Sequence, residues 1–348
     1  MRIAYFVNSV MTEKPSYSTS RLALESINRG HEVWTIQADS FILDEKDKVR
    51  AVASRAKKSS YDTTEDYLKD LQGSDKKEQE IGLENFDVLF LRSDPSEEKG
   101  VRNWAQEVGL YFGRLAIRHG VIVVNDPDGL SKAINKTYLD LFPERVRPRN
   151  LITRNVDKIR EFAEQEGQIV LKPLQGSGGS GVFLVDEHNM RNLNQIVESL
   201  SQRGYLIAQQ FLPEAEAGDT RLFLLNGKPL QVDGHYAAFK RVGAKNDIRN
   251  NISAGGTIEK AEITDEMLAI CEILRPKLIH DGMFLVGVDI VGNKLMEINV
   301  FSPGGLGSAQ KIEGVDFTAP IIDALERKVD YTVYYQREFT NLERATIF

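Results

Sequence analysis

Cysteine is nearly absent from this 348-residue chain. The single one, Cys271, has no partner for an internal disulfide, and it falls as a core residue in the helical pattern from Glu262 to Leu278, which fits a reducing compartment. Histidine is also scarce, at five residues, and the chain contains no GxSxG, CxxC or HExxH motif, which leaves covalent catalysis by a familiar nucleophile without a signature. Long apolar runs are missing too. Met1 to Val7 is too short for a signal-peptide core, and Met283 to Val291 is interrupted by Asp289, so no membrane span or membrane role is expected. A basic excess is lacking: 44 Lys and Arg against 51 Asp and Glu give a net charge of −7, which argues against nucleic acid as a main partner but leaves room for a local basic pocket.

What the chain does have is a glycine cluster. From Ile169 to Val185 an apolar strand ends on Lys172, Gly176 to Gly181 follow with only Ser177 and Ser180 interposed, and a second apolar strand begins at Val182. Such a loop lets backbone N–H groups converge on phosphate oxygens, with the lysine as a point charge. It also reads as an ordinary flexible hairpin loop. It is not a Walker A loop, because no GK[ST] follows, and not a dinucleotide fingerprint, because a strand rather than a helix follows.

The length implies two or three packed units. Ile3 to Val7, a helix from Ser18 to Arg29 stopping at Gly30, and Val33 to Ile36 form a βαβ-like opening. Residues 44–80 are dense in charge and read as a solvated, partly mobile insertion. Val88 to Arg92, a helix ending near Gly120 and Val121 to Val124 complete an open α/β layer, and Gly129 to Leu141 reads as one helix carrying Lys136. After Arg149 strands come in pairs with helices between them, an α+β pattern, with hairpin signals at Asn226-Gly227 and Gly292-Asn293.

Near the end stand Asp289, Glu297 and Asn299 among apolar residues. Glu297 and Asn299 are two apart on a strand and share a face, and three oxygen side chains there suit Mg²⁺, with a solvent-facing alternation as the other reading. Register tests the first. A two-residue turn at Gly292-Asn293 sets Asp289 opposite Met296 and puts Asp289 and Glu297 on opposite faces, so a shared metal requires a hairpin loop with an odd number of residues that pairs Asp289 with Glu297, and a tight two-residue turn there would rule it out. Upstream, Gly218-Asp219-Thr220-Arg221 opens a strand, and the loop 240–259 carries Lys240, Arg241, Lys245, Arg249, Asn250, Asn251 and two glycines. A loop of that length reads as a lid or as a solvated charged connector.

Six motifs in order carry a resemblance: Asn135-Lys136; Leu171 to Gly179; Ala208-Gln209-Gln210-Phe211-Leu212-Pro213; Gly218 to Arg221; Arg249 to Gly256; and Val286 to Ile290 with Glu297 to Val300. Together they resemble the bacterial glutathione synthetases, which are ATP-grasp ligases, and the similarity runs to about Glu326. The resemblance implies an N-terminal open α/β substrate-binding domain (1–128), an ATP-grasp small subdomain and hinge (129–212) and a catalytic subdomain (213–330), with ATP between antiparallel sheets and a tail (331–348) beyond it. It implies nucleotide contacts from Lys136, Lys172, Gly176, Ser177, Gly178, Gly179, Gln210, Leu212, Asp219 and Arg221. Catalytic roles fall to Arg221, Arg249 and Asn251, and two Mg²⁺, for which Mn²⁺ can substitute, fall to Asp289, Glu297 and Asn299. Substrate contacts would come from Arg92, Arg241, Arg249, Asn250, Ser302, Gly304 and Gly305.

The implied reaction joins γ-glutamylcysteine to glycine through an acylphosphate, in a cytoplasmic homo-oligomer, dimer or tetramer. One departure stands out. Where the family continues with Thr-Ser-Pro-Thr, this chain reads Phe301-Ser302-Pro303-Gly304-Gly305, so the hydroxyl expected at Gly304 is missing. The amides of Gly304 and Gly305 could stand in as an anion nest, or the acid and amine could be a different peptide-like pair. A non-catalytic ATP-binding regulator is a further alternative, against which the retention of Arg221, Arg249, Asp289, Glu297 and Asn299 argues.

Overall fold

The computed structural model describes residues 1–176, 181–202, 204–243, 255–335 and 338–347. What is absent from the structure, or counted in it, is so among these residues. The first sheet is seven-stranded: β1 (Arg2–Val7), β2 (Glu32–Gln37), β3 (Phe41–Leu43), β4 (Val49–Arg55), β5 (Lys77–Gly82), β6 (Val88–Leu91) and β7 (Ile122–Val124), in the order β3-β4-β2-β1-β6-β7 with β5 beside β4. Strands β1, β2, β6 and β7 run parallel. Strand β1 is buried on both faces. Ile3 and Tyr5 enter one apolar cluster while Ala4 and Phe6 enter another, as period-two alternation between two helix-covered faces requires. Helices α1 (Ser18–Asn28), α2 (Thr64–Leu71) and α3 (Val108–Arg118) flank this sheet, and α1 ends where Gly30 adopts φ +83°.

The charged stretch 44–80 is not a solvated insertion. It supplies β4, α2 and β5, and buries Val49, Ala51, Ala53, Tyr61, Tyr67, Leu68 and Leu71. Its core side of β4 is built mainly from alanines, and β5 is an edge strand with four exposed residues, so neither produces a strong apolar signal. The helix expected from Gly129 to Leu141 is also broken. Helix α4 (Pro127–Lys132) stops, and a separate 3₁₀ turn, Lys136–Leu141, starts under the cap from the Asn135 side chain to the Thr137 N–H.

A four-stranded antiparallel sheet follows, built from β8 (Asn150–Thr153), β9 (Ile169–Pro173), β10 (Phe183–Val185) and β11 (Leu206–Gln210), in the order β10-β9-β11-β8. Helices α5 (Val156–Glu166) and α6 (Leu193–Ser201) pack on one face through Ile169, Leu171, Leu206 and Ala208. The alternate residues Val170, Lys172, Ile207 and Gln209 are thereby turned to the other face.

The third sheet contains β12 (Asp219–Leu225), β13 (Lys228–Pro229), β16 (Ala238–Val242), β17 (Thr257–Glu259), β18 (Leu285–Val291) and β19 (Lys294–Asn299), with the ribbon β14 (Gln231–Val232) and β15 (His235–Tyr236) beside it. Helix α7 (Asp265–His280) covers the face that carries Leu222, Leu224, Val286 and Val288, and there buries Cys271. Helices α8 (Leu306–Glu313) and α9 (Thr318–Tyr334) pack against Phe223 and Phe239 on the opposite face. The boundary drawn at residue 330 falls inside α9, and α10 (Asn341–Thr346) returns to β7. No helix of the described residues is long and apolar enough to cross a membrane.

Candidate active site

A cavity of about 930 Å³ opens where the four-stranded sheet, the third sheet and the loops after β1 and β6 meet. Lys172 reaches it from β9. Its ammonium donates to Gln209 Oε1 at 2.8 Å, and burial pushes its pKa down to about 8. Lys136 donates to the Gly176 carbonyl at the mouth of the glycine loop. Gln210 and Leu212 line the same cavity at the end of β11.

The third sheet contributes its odd-numbered residues. Arg221 on β12 lies directly across from Asp289 on β18, which lies across from Glu297 on β19, so three charged side chains form one cross-strand row. The register is unexpected in its origin. The two-residue turn at Gly292-Asn293 is present, with Val291 opposite Lys294, yet a β-bulge between Asp289 and Ile290 brings Glu297 rather than Met296 opposite Asp289. The tight turn alone would have separated the carboxylates; the extra residue reunites them.

Asp289 is 1% exposed and doubly held. Arg221 embraces it with Nε and Nη2, the latter at 2.8 Å, and Arg241 Nη2 approaches Oδ2 at 2.8 Å. Arg241 also donates from Nε to Asp219 Oδ1 at 2.8 Å. Burial by itself would raise the Asp289 pKa, but the two guanidinium groups outweigh it and keep the carboxylate ionised below its ordinary range. Burial dominates at Asp219, whose pKa is raised despite Arg241. Arg241, expected on the charged loop, is a buried residue of β16. Strands β16 and β17 form a hairpin that takes up both ends of that loop.

Facing this row, the segment 302–305 is clamped from two sides. Arg221 Nη1 donates to the Gly304 carbonyl at 3.2 Å, and Arg92 Nη2 donates to the Pro303 carbonyl at 3.3 Å. Arg92 is 3% exposed, and burial lowers its pKa to about 10. Ser302, Gly304, Gly305, Asp219, Glu297 and Asn299 all line the cavity, while Asp289 lies beneath it. Ser177, Gly178, Gly179, Arg249, Asn250 and Asn251 lie outside the described residues.

Among the cavity residues that escaped sequence reasoning are Gln209, Met296 and Glu13. Gln209 shares the face of Lys172, and its phase with Ile207 along β11 could have revealed it. Met296, the extra residue of the bulge, and Glu13, in the loop after β1, carry no sequence signal of their role.

The donor set fits a hard cation. Asp289, Glu297 and the amide of Asn299 offer oxygen ligands on one face, with Asn299 Nδ2 already 3.3 Å from Asp289 Oδ2. Two carboxylates and an amide are an incomplete shell, which phosphate oxygens would complete.

The N-terminal domain profile of prokaryotic glutathione synthetase matches residues 1–131, and the ATP-grasp domain profile of the same family matches residues 135–314. The chain belongs to the prokaryotic glutathione synthetase family. A glutathione synthetase of Nostoc sp. is 31% identical over 338 residues, which span 94% of this chain and 99% of the relative. One from Vibrio parahaemolyticus is 32% identical over 93% of this chain and 96% of its own. Among solved structures, D-cycloserine synthetase DcsG superposes with a TM-score of 0.61 at 14% identity, covering 93% of this chain and 99% of that one. The ATP-grasp ligase PsnB, complexed with a phosphomimetic precursor variant, Mg and ADP, gives 0.59 at 19% identity, covering 94% and 98%. These likenesses show the fold. The protein is an ATP-grasp ligase, an enzyme that forms an amide bond with ATP and Mg²⁺ and acts on small molecules.

Proposed function

We propose that this enzyme joins γ-glutamylcysteine to glycine, releasing ADP and phosphate. The observation that carries the reading is the convergence of Lys172, the Arg221–Asp289–Glu297 row and the 302–305 segment on one cavity between two antiparallel sheets. Lys136 and Lys172 would hold the nucleotide phosphates, and Arg221 would neutralise the phosphoryl group as the substrate carboxylate attacks the γ-phosphorus. Bound at Asp289, Glu297 and Asn299, two Mg²⁺ would supply charge neutralisation for the transferring phosphoryl. The amine then attacks the acylphosphate carbonyl, the C–N bond forms and phosphate leaves. Arg92, beside Pro303, would fix the acid at the wall built by the N-terminal domain. Roles for Ser177 to Gly179 in covering the phosphates, and for Arg249, Asn250 and Asn251 over the substrate, belong to the same reading.

A second reading keeps the chemistry and changes the amine. A Cβ built on Gly304 meets nothing within 4 Å, so the cavity wall is open where the family carries a larger residue. Phosphate release assayed with γ-glutamylcysteine paired with glycine, and then with larger amines and other acids, separates the two; no turnover with the first pair overturns the glutathione reading. Glu297→Gln is expected to abolish turnover, and unimpaired turnover would overturn the metal assignment. A cytoplasmic homo-oligomer completes the proposal. The oligomer is supported by the exposed Val333, Tyr334 and Tyr335 at the end of α9 and is checked by light scattering in solution.

A further inference from the structure

Arg241 occupies an unusual place in the site. It stands on β16 directly across from Asp219, yet it reaches past β12 to Asp289 on β18. Asp289 Oδ1 accepts from Arg221 Nε, and Oδ2 accepts from Arg221 Nη2, Arg241 Nη2 and Asn299 Nδ2. A cation that takes this carboxylate must displace donors already in place. Within the cluster around Asp289 the charges also cancel. Asp219, Asp289 and Glu297 are balanced by Arg221, Arg241 and Lys172, and five of these six line the cavity while Asp289 lies just under it. A divalent cation entering alone would place two uncompensated charges among buried groups, and two guanidinium groups would repel it. A nucleoside diphosphate or triphosphate reverses that balance, because its phosphates offer the arginines new partners and bring the missing negative charge.

We propose that Arg241 makes metal binding conditional on nucleotide: it holds Asp289 closed to divalent cations until phosphates draw the guanidinium away. Arg221 shares the carboxylate, but its Nη1 is committed to the Gly304 carbonyl, whereas Arg241 is tied only to the two aspartates. The proposal rests on Asp289 and Glu297 as the metal ligands. Its outcome is set by the enzyme's affinity for metal and does not depend on which acid or amine is joined.

The test is Mn²⁺ binding to the full-length enzyme, read by electron paramagnetic resonance with and without ADP, with Mn–ADP in solution measured separately. The wild type is expected to bind Mn²⁺ at least tenfold more tightly when ADP is present. Arg241→Gln is expected to raise the affinity of the nucleotide-free enzyme about tenfold and to shrink the gain from ADP, whereas Arg241→Lys, which keeps the charge, should stay near the wild type. A merely structural role would lower metal affinity, not raise it. Equal Mn²⁺ affinity of the wild type with and without ADP overturns the proposal, whether or not the variants fold. So does an Arg241→Gln enzyme with native circular dichroism and unchanged affinity. No enzyme-bound Mn²⁺ under either condition overturns the metal assignment itself, and the proposal with it.

Discussion

At the scale of single residues, burial sets the chemistry that titration can read. Burial of its ammonium pushes the Lys172 pKa down to about 8, while bound phosphates favour the charged form and raise that pKa again. Nucleotide binding must therefore take up a proton above pH 8. The dissociation constant for ADP is expected to rise by up to about tenfold per pH unit beyond that point, and Lys172→Met to remove the dependence, as calorimetry from pH 7 to about 9.5 would report. Glu13 runs the other way. Burial lifts its pKa from 4.5 to about 7, Arg92 only partly opposing it, and its Oε2 has no hydrogen-bond partner. The folded state thus prefers the protonated form. Its contribution is fully present below about pH 4.5 and is lost as pH rises through 7. Glu13→Gln should flatten that slope and gain about 1–3 kcal/mol over the wild type at pH 7.5, measured by urea unfolding at several pH values.

At the scale of elements, the hairpin β18–β19 shows where local reading stops. The turn at Gly292-Asn293 and the period-two placement of Glu297 and Asn299 were legible in the sequence, but the bulge at Met296 was not, because no residue type announces one there. The segment before α8 divides two adjacent glycines in a similar way. Gly305 has φ +98° and its Cβ position lies 2.5 Å from the Phe239 ring, whereas Gly304 has ordinary backbone and open space. Gly305→Ala is therefore expected to cost about 1–3 kcal/mol, and Gly304→Ala less than about 0.5 kcal/mol, in thermal or denaturant unfolding. Comparable losses from both would contradict this placement of the segment.

At the scale of the whole molecule, the C-terminus closes the N-terminal sheet. β7 is an edge strand, and the Asn341 side chain donates to the Val123 carbonyl at 2.9 Å and accepts from its N–H at 2.8 Å, standing in for a missing strand. Its Nδ2 also meets Asp126 at 2.7 Å, and Lys328 of α9 donates to the Ile347 carbonyl. Asn341→Ala leaves buried backbone groups of β7 unpaired. A loss of about 1–3 kcal/mol is expected in the unfolding of the N-terminal sheet, followed by hydrogen exchange at β7. Unchanged exchange there would show that α10 is dispensable.

The sequence by itself determined the family, the strands that carry the site and part of the cavity lining, with Lys136, Lys172, Arg221, Glu297 and Asn299 among the residues it named. These rest on short-range signals: alternation along strands, glycine clusters, turn pairs and motifs in a fixed order. The same reading mistook 44–80 for solvated chain, because alanines facing a core and a charged edge strand look locally like exposed sequence. Only the tertiary structure decided which charges meet. Arg241 reaches Asp289 across an intervening strand, and Asn341 reaches Val123 over a separation of 218 residues. Such contacts are set by register, twist and the packing of distant segments, and the residues that make them carry no local trace of the partner they will find.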